Sequence, residues 1–152
     1  MTRYQNQTRM LVAVDCIVFG FDGQHLKILL IKRGFEPCVD EWSLMGGFVQ
    51  PDESADEAAS RVLKTLTGLS GLYLEQLQTY TQVDRDPIER TVSIAYFALI
   101  DIHQYEQRLN DEFHAEWFKL DEIPDLIFDH PQMVQTARQK LRYKAALHPL
   151  LF

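Results

Sequence analysis

Residues Gly46–Leu69, GGFVQPDESADEAASRVLKTLTGL, contain both the start and the end of one helix. Ser54 and Glu57 form a capping box, in which each side chain accepts a hydrogen bond from the backbone N–H of the other residue. Gly68 suits the left-handed position just beyond a helix end, because glycine adopts a positive φ without steric cost. The stretch therefore predicts a helix over Ala55–Thr67, preceded by a loop that begins in a Gly-Gly pair.

Strand-like segments precede and follow this helix. Leu11–Phe21 and Leu26–Lys32 are rich in Val, Ile, Leu and Phe, and the Asp22-Gly23 dipeptide between them suits a tight hairpin turn. The short apolar segment WSLMGGF leads into the helix. Later strand-like segments are 72–77, 91–100 and 116–120.

A second helix is predicted to begin near Asp129-His130-Pro131, because proline is tolerated in the first turn, where its missing N–H has no helical partner. Its apolar face is predicted to contain Val134, Ala137, Leu141 and Ala145. The order of strands, helix, strands and helix, without an internal repeat, predicts an α+β fold in which a mixed sheet lies between helices.

The composition is that of one globular domain spanning residues 1–152, with 46% hydrophobic and 24% charged residues. The net charge of -7 argues against nucleic-acid binding by this chain alone, because such binding depends on Lys and Arg displacing counterions. Cys16 and Cys38 form no CxxC pair, which predicts two unpaired, buried thiols in a reducing cytoplasm. Asp15 interrupts the N-terminal apolar run, which is far shorter than the roughly 20 residues of a membrane span. No membrane association is expected.

Six positions in the opening stretch have the spacing of the pattern G-x5-E-x7-R-E-U-x-E-E-x-G-U, where U is aliphatic: Gly47, Glu53, Arg61, Leu63, Gly68 and Leu69. The stretch therefore resembles the signature box of the Nudix hydrolase superfamily. The resemblance implies the Nudix fold. In active members it also implies cleavage of a nucleoside diphosphate linked to another group, with Mg²⁺ or Mn²⁺ as the cofactor.

Three carboxylates of that pattern are missing, since Val62, Thr65 and Leu66 occupy their positions. Hard divalent cations prefer several carboxylate oxygens, and positions related by i, i+3 and i+4 lie on one helix face where they can converge on a metal. We therefore expect no metal site, no cofactor and weak or absent hydrolysis. The alternative is an active pyrophosphatase in which Glu53 is catalytic and Mg²⁺ is held with carboxylates from elsewhere, such as Asp56, Glu57 or Glu112.

The wider sequence resembles the N-terminal domain of the Nudix-related transcriptional regulators, in the segments DCIVFGF, LLIKRGFEP, EWSLMGGFVQPDES, RVLKTLTGL, VDRDPIERTVSIAYFALI and LIFDHPQMV. This resemblance implies a non-catalytic domain that binds an effector, either ADP-ribose or a sugar such as arabinose, and that forms a homodimer. The chain ends at HPLLF, where the winged helix-turn-helix of those regulators would begin. DNA contact is therefore expected only through a C-terminal domain that is absent here. A purely structural or protein-interaction use of the fold remains a third alternative.

Aromatic and glycine residues near the box are candidates for ligand binding. Phe35, Trp42 and Phe48 have rings that can stack on an adenine or on the apolar face of a sugar, although each can equally belong to the core. Gly46 and Gly47 permit close approach of the backbone to a ligand, or a bulged strand.

Charged residues complete the candidate site. Arg85 and Arg90 flank the DRDPIER turn, and their guanidinium groups suit phosphates, unless they only form surface ion pairs with Asp84, Asp86 and Glu89. Arg61 and Glu53 are included as candidate ligand-binding residues, although the resemblance implies that Arg61 orients Glu53 and its loop. The histidines show no metal-ligand spacing: His25, His103, His114, His130 and His148.

Overall fold

The computed structural model describes residues 2–105 and 114–147. Over these residues the elements follow in the order β1 (Leu11–Phe21), β2 (Leu26–Lys32), β3 (Trp42–Ser43), β4 (Met45–Phe48), α1 (Ala55–Thr67), β5 (Glu75–Tyr80), β6 (Thr91–Asp101), β7 (Ala115–Lys119) and α2 (His130–Leu147). The strands form one mixed sheet. The predicted α+β class is therefore confirmed.

The centre of the sheet is a parallel pair, β1 and β6, whose register runs from Leu11 opposite Thr91 to Phe21 opposite Asp101. On its other side β1 is shared between two antiparallel partners. Its first half pairs with β4, and its last three residues pair with β2. In this arrangement Gly46 lies opposite Asp15 in the first half of β1, where the polar pocket described below is found.

One helix covers each face of the sheet, because alternate residues of a strand point to opposite faces. Val14, Cys16 and Val18 belong to the core cluster that contains the buried face of α1. Ile17 and Phe19 belong to the other cluster, which contains Met133, Val134, Ala137 and Leu141 of α2. Burial of these two apolar faces holds the three layers together. Neither helix of residues 2–105 and 114–147 is long and apolar enough to cross a bilayer.

Helix α1 has the predicted bounds and caps. Ser54 Oγ accepts from the Glu57 N–H at 3.1 Å, Glu57 Oε1 accepts from the Ser54 N–H at 3.1 Å, and Gly68 has a φ of 82°. The helix packs closely on β4, since a Cβ atom at Gly47 would lie 2.7 Å from Val62 Cγ2. Only glycine at position 47 lets the helix approach this strand without displacement.

Two sequence predictions were wrong in detail. The strand predicted at 72–77 is instead Glu75–Tyr80, because Leu72 and Leu74 pack against the core from the loop that leaves α1. Their alternating apolar pattern therefore reflects anchoring of this loop rather than strand pairing. Both cysteines are free thiols and Cys16 is buried, but Cys38 is only half-buried because it lies in the loop after β2.

Candidate functional site

A pocket of about 290 Å³ opens over the first half of β1 and over β4. One wall is the loop that follows β2 and includes Arg33 and Phe35. Another wall is the segment before β6, and the third is the start of α2. Gly46, Gly47, Phe48, Phe35 and Arg85, all proposed from the sequence, line this one pocket.

Asp15 is buried at the base of the pocket, with 5% of its surface exposed. Ser93 Oγ donates to Asp15 Oδ2 at 2.5 Å, and His130 Nε2 lies 3.2 Å from Asp15 Oδ1. Burial by itself raises the pKa of this carboxyl group, but His130, Ser93 and Arg85 outweigh burial and hold the pKa below its usual value. Asp15 is therefore an ionised, buried carboxylate, and a Cβ atom at Gly46 would collide with its Oδ1.

His130, the first residue of α2, connects this carboxylate to the backbone between β3 and β4. The Leu44 N–H donates to His130 Nδ1 at 3.2 Å, so this nitrogen carries no proton. The ring proton of a neutral imidazole then lies on Nε2, where it is donated to Asp15. Sequence reasoning overlooked His130 because it was examined only as a metal ligand. The signal in the sequence was Asp15, because an acidic residue inside an apolar strand requires a buried polar partner.

Arg85 is also buried, and its partner is distant in sequence. Its Nε and Nη2 atoms donate to Asp129 Oδ2 and Oδ1 at 2.8 and 2.7 Å, and Nη2 lies 3.9 Å from Asp15 Oδ2. Burial alone lowers the pKa of this guanidinium, whereas Asp129 and Asp15 raise it above its ordinary value. The alternative of a surface ion pair with nearby acids is wrong for Arg85, since Arg85 is buried and its Nε and Nη2 atoms bind Asp129.

Arg33, Phe35 and Phe48 form the upper part of the pocket. Arg33 Nε donates to the Pro37 carbonyl at 2.8 Å, and its guanidinium carbon lies 4.4 Å from the centroid of the Phe35 ring. Phe35 and Phe48 are each 47% exposed, so both rings present a free surface. Sequence reasoning did not identify Arg33, although the sequence places it directly after the apolar segment Leu26–Lys32.

Arg61 and Glu53 lie outside the pocket and form a bidentate ion pair. Arg61 Nε and Nη2 lie 2.9 and 2.6 Å from Glu53 Oε2 and Oε1, and Nη2 also donates to the Phe48 carbonyl at 2.8 Å. The hydrogen bond from Arg61 lowers the pKa of Glu53, and the Gln50 N–H contributes in the same direction. This pair fixes the loop that carries Phe48, so its contribution to the pocket is indirect.

Trp42 and Arg90 do not line the pocket. The Trp42 ring packs edge-on against Phe118 with centroids 4.8 Å apart, within the layer between the sheet and α2. Arg90 donates to the carbonyls of Thr81 and Gln82 at 3.0 and 3.3 Å and thereby holds the loop before β6. Both residues support the surrounding structure rather than the pocket wall.

The helix face that lacks carboxylates is largely part of the core. Val62 is 4% exposed, Leu66 packs against the same cluster, and only Thr65 faces solvent. Across residues 2–105 and 114–147 no three Asp, Glu, His or Cys side chains lie close enough together to hold a metal ion.

The carboxylates considered as substitute metal ligands have other partners. Asp56 accepts a hydrogen bond from the Tyr96 hydroxyl, and Glu57 closes the capping box of α1. Glu112 lies outside the described residues.

The profile of the NUDIX domain matches residues 9–139. The chain is 38% identical over 153 residues to the ADPR responsive transcriptional repressor NtrR of Acinetobacter baylyi, covering 93% of this chain and 61% of that protein. It is 35% identical over 136 residues to the ADP-ribose pyrophosphatase of Methanocaldococcus jannaschii, covering 89% of this chain and 77% of that protein.

Among solved structures, the fold matches the NUDIX domain of Shewanella oneidensis NrtR complexed with ADP ribose. The TM-score is 0.74 at 29% identity, and the match covers 93% of this chain and 99% of that one. The relatives thus include both a repressor and an enzyme, and this chain spans about three fifths of the repressor's length.

Proposed function

Because this chain belongs to the Nudix family, we propose that it is an effector-binding domain of a transcriptional regulator. It takes ADP-ribose, or a sugar such as arabinose, into the pocket over β1 and β4 and does not hydrolyse it. The observation that supports this most is that one pocket combines two half-exposed aromatic rings with buried polar side chains at its floor. The apolar residues at positions 62 and 66 of the signature box agree with a domain that binds rather than cleaves.

The pocket has the chemistry of a site for a sugar-containing ligand. Phe35 and Phe48 offer ring faces for an adenine or for the apolar side of a sugar. Glu36 and Asp86 also line the pocket, and their carboxylates suit sugar hydroxyls, which donate hydrogen bonds. The volume of about 290 Å³ is just below the range of roughly 300–1,000 Å³ that is usual for ligand pockets. It therefore accommodates part of ADP-ribose, or the whole of a pentose.

The charges in the pocket lining favour arabinose as the second candidate ligand. Asp15, Glu36 and Asp86 contribute three carboxylates, against two arginines. A neutral sugar meets no electrostatic penalty there, whereas the diphosphate of ADP-ribose requires a cation to offset these acids.

The proposed partners are a second copy of the chain and DNA. DNA would be contacted by a further domain of the regulator, because the chain itself has a net charge of -7. The effector would act by binding more tightly to one arrangement of the two protomers than to another, since only a difference in affinity can shift such an equilibrium.

Binding of ADP-ribose is expected to be independent of divalent metal. Titration calorimetry of the purified chain with ADP-ribose, and separately with L-arabinose, should give the same dissociation constant in Mg²⁺ and in EDTA. The reason is that no three Asp, Glu, His or Cys side chains of the described residues lie close enough together to hold a metal ion. A requirement for Mg²⁺ would contradict the proposal. Failure to bind either ligand or related sugars would favour the structural or protein-interaction alternative.

An active pyrophosphatase is the competing function, and two observations favour it. Glu53 is retained, and the chain is 35% identical to an ADP-ribose pyrophosphatase. Against it, both oxygens of Glu53 are bound by Arg61.

Phosphorus NMR of ADP-ribose mixed with the protein and Mg²⁺, followed over hours, is expected to show no conversion. Helix α1 presents Val62 and Leu66 to the core where the signature box has carboxylates, and its Asp56 and Glu57 are bound to Tyr96 and Ser54, so no second carboxylate is placed to share a metal with Glu53. Formation of AMP and ribose 5-phosphate that is abolished by Glu53→Gln, but not by the neighbouring Asp52→Asn, would establish the enzyme instead.

A further inference from the structure

We propose that Arg33 is the residue with which the pocket recognises an anionic ligand, and that it thereby determines specificity between phosphorylated and neutral sugars. Its guanidinium would receive a phosphate oxygen of a nucleoside diphosphate. This inference rests on the proposed function, because it assumes that a ligand enters the pocket over β1 and β4.

The two arginines of the pocket differ in what their guanidinium groups already bind. Arg85 is 8% exposed, its Nη2 and Nε atoms donate to Asp129 at 2.7 and 2.8 Å, and its Nη1 atom lies 3.5 Å from the Thr91 carbonyl. Its charge is further offset by Asp15 at 3.9 Å. A phosphate that engaged the Nε and Nη2 edge of Arg85 would displace the Asp129 carboxylate, which would then lose its partner.

Arg33 has no carboxylate partner within residues 2–105 and 114–147. One hydrogen bond is formed by its side chain there, from Nε to the Pro37 carbonyl at 2.8 Å. No described residue therefore bonds the four N–H groups on Nη1 and Nη2, and such charged donors form the stronger class of hydrogen bond to phosphate.

The position of Arg33 is also fixed before a ligand arrives. Its backbone N–H donates to the Glu41 carbonyl at 2.9 Å, and its carbonyl accepts from the Asp40 N–H at 2.7 Å. The guanidinium stacks on the Phe35 ring at 4.4 Å, and stacking on a ring face leaves in-plane N–H groups available. Because the side chain is held at both ends, little conformational freedom remains to be lost on binding.

The charge of the lining makes this cation necessary for an anion. Glu36 and Asp86 also line the pocket, and each would repel a diphosphate. Arg33 is the lining cation of the described residues that can offset them, because Arg85 is already neutralised. A neutral sugar has no such requirement, so the two ligand classes should respond differently to a change at position 33.

The test is the affinity of Arg33→Gln for a charged and a neutral ligand, measured by calorimetry with ADP-ribose and with adenosine or L-arabinose. We expect the affinity for ADP-ribose to fall about ten- to a hundredfold, as for loss of charged hydrogen bonds, while that for the neutral ligand stays within about twofold. Arg33→Lys should recover part of the loss, because it restores the charge without the fork. Arg142→Gln, which changes an exposed arginine of α2 outside the pocket, is the matched control and should bind both ligands as the wild type does.

Each other outcome has a separate meaning. Unchanged binding of ADP-ribose by Arg33→Gln overturns the inference, and so does an equal loss for the charged and the neutral ligand, which would show that the loop has lost its shape. Wild-type protein that binds arabinose but not ADP-ribose also overturns it, yet leaves the effector-binding function intact. Wild-type protein that binds neither removes the proposed function and this inference together.

Discussion

Replacing Arg85 with methionine is expected to lower the free energy of unfolding by about 3–5 kcal/mol, the typical cost of removing one partner of a buried ion pair. Methionine fills a similar volume, so the loss arises from charge rather than from a cavity. The carboxylates of Asp129 and Asp15 would remain in the protein interior without the cation that now lies 2.7 and 3.9 Å from them. Urea denaturation followed by tryptophan fluorescence measures this difference.

Arg90→Met is the control for this experiment, since Arg90 also lies in the segment before β6, and among the described residues its side chain binds two loop carbonyls and no carboxylate. It should cost less than about 1 kcal/mol, as for a partly exposed hydrogen-bonding group. Equal losses for the two variants would mean that the segment as a whole, and not the buried ion pair, determines stability.

Asp15→Asn is expected to lower the free energy of unfolding by about 2–3 kcal/mol at neutral pH, the loss expected for buried hydrogen bonds to a charged group. Asn has one acceptor oxygen in place of two, so its amide N–H₂ group must face either Ser93 or His130, both of which donate to Asp15. The substitution also removes one of the carboxylates near Arg85.

The effect of Asp15→Asn should depend on pH in a direction given by the pKa of Asp15. That pKa is lower in the folded protein than its ordinary value. The carboxylate therefore stabilises the fold above about pH 4, and its contribution is lost as the pH falls further, through the folded pKa. Urea unfolding at pH 7, 5 and 3 should show wild type and variant converging at the lowest pH. Asp52→Asn, at an exposed position, should show no such convergence, and a gap for Asp15→Asn that stays constant with pH would contradict the assignment.

The local features of this fold could be predicted from the sequence, whereas most of the site could not. Helix α1 was predicted with correct bounds because Ser54, Glu57 and Gly68 determine its ends through contacts within a few residues. The strand after it was misplaced because Leu72 and Leu74 alternate like strand residues but anchor a loop. Strand propensity depends on residue type alone, whereas the structure of this segment is determined by the contacts of Leu72 and Leu74 with the core.

The polar residues at the bottom of the pocket could not be brought together from the sequence, because they are far apart along the chain. His130 and Asp15 meet only after β1, β4 and α2 are assembled, and the partner of Arg85 is 44 residues away. Aromatic residues show the same limit. Phe35 and Trp42 were equal candidates by type, and their surroundings alone place the first in the pocket wall and the second against Phe118.

The parallel pairing of β1 with β6 also affects how the chain folds. Residues that pair across these two strands, such as Leu11 and Thr91, are eighty positions apart, so a large loop must close before their contacts form. Chains dominated by such distant pairings fold slowly compared with helical bundles. The pocket lies on these strands and is complete only once they have joined, so a ligand has nothing to bind in the early stages of folding. Its stabilising effect should therefore appear as slower unfolding of the finished protein, with the rate of folding unchanged.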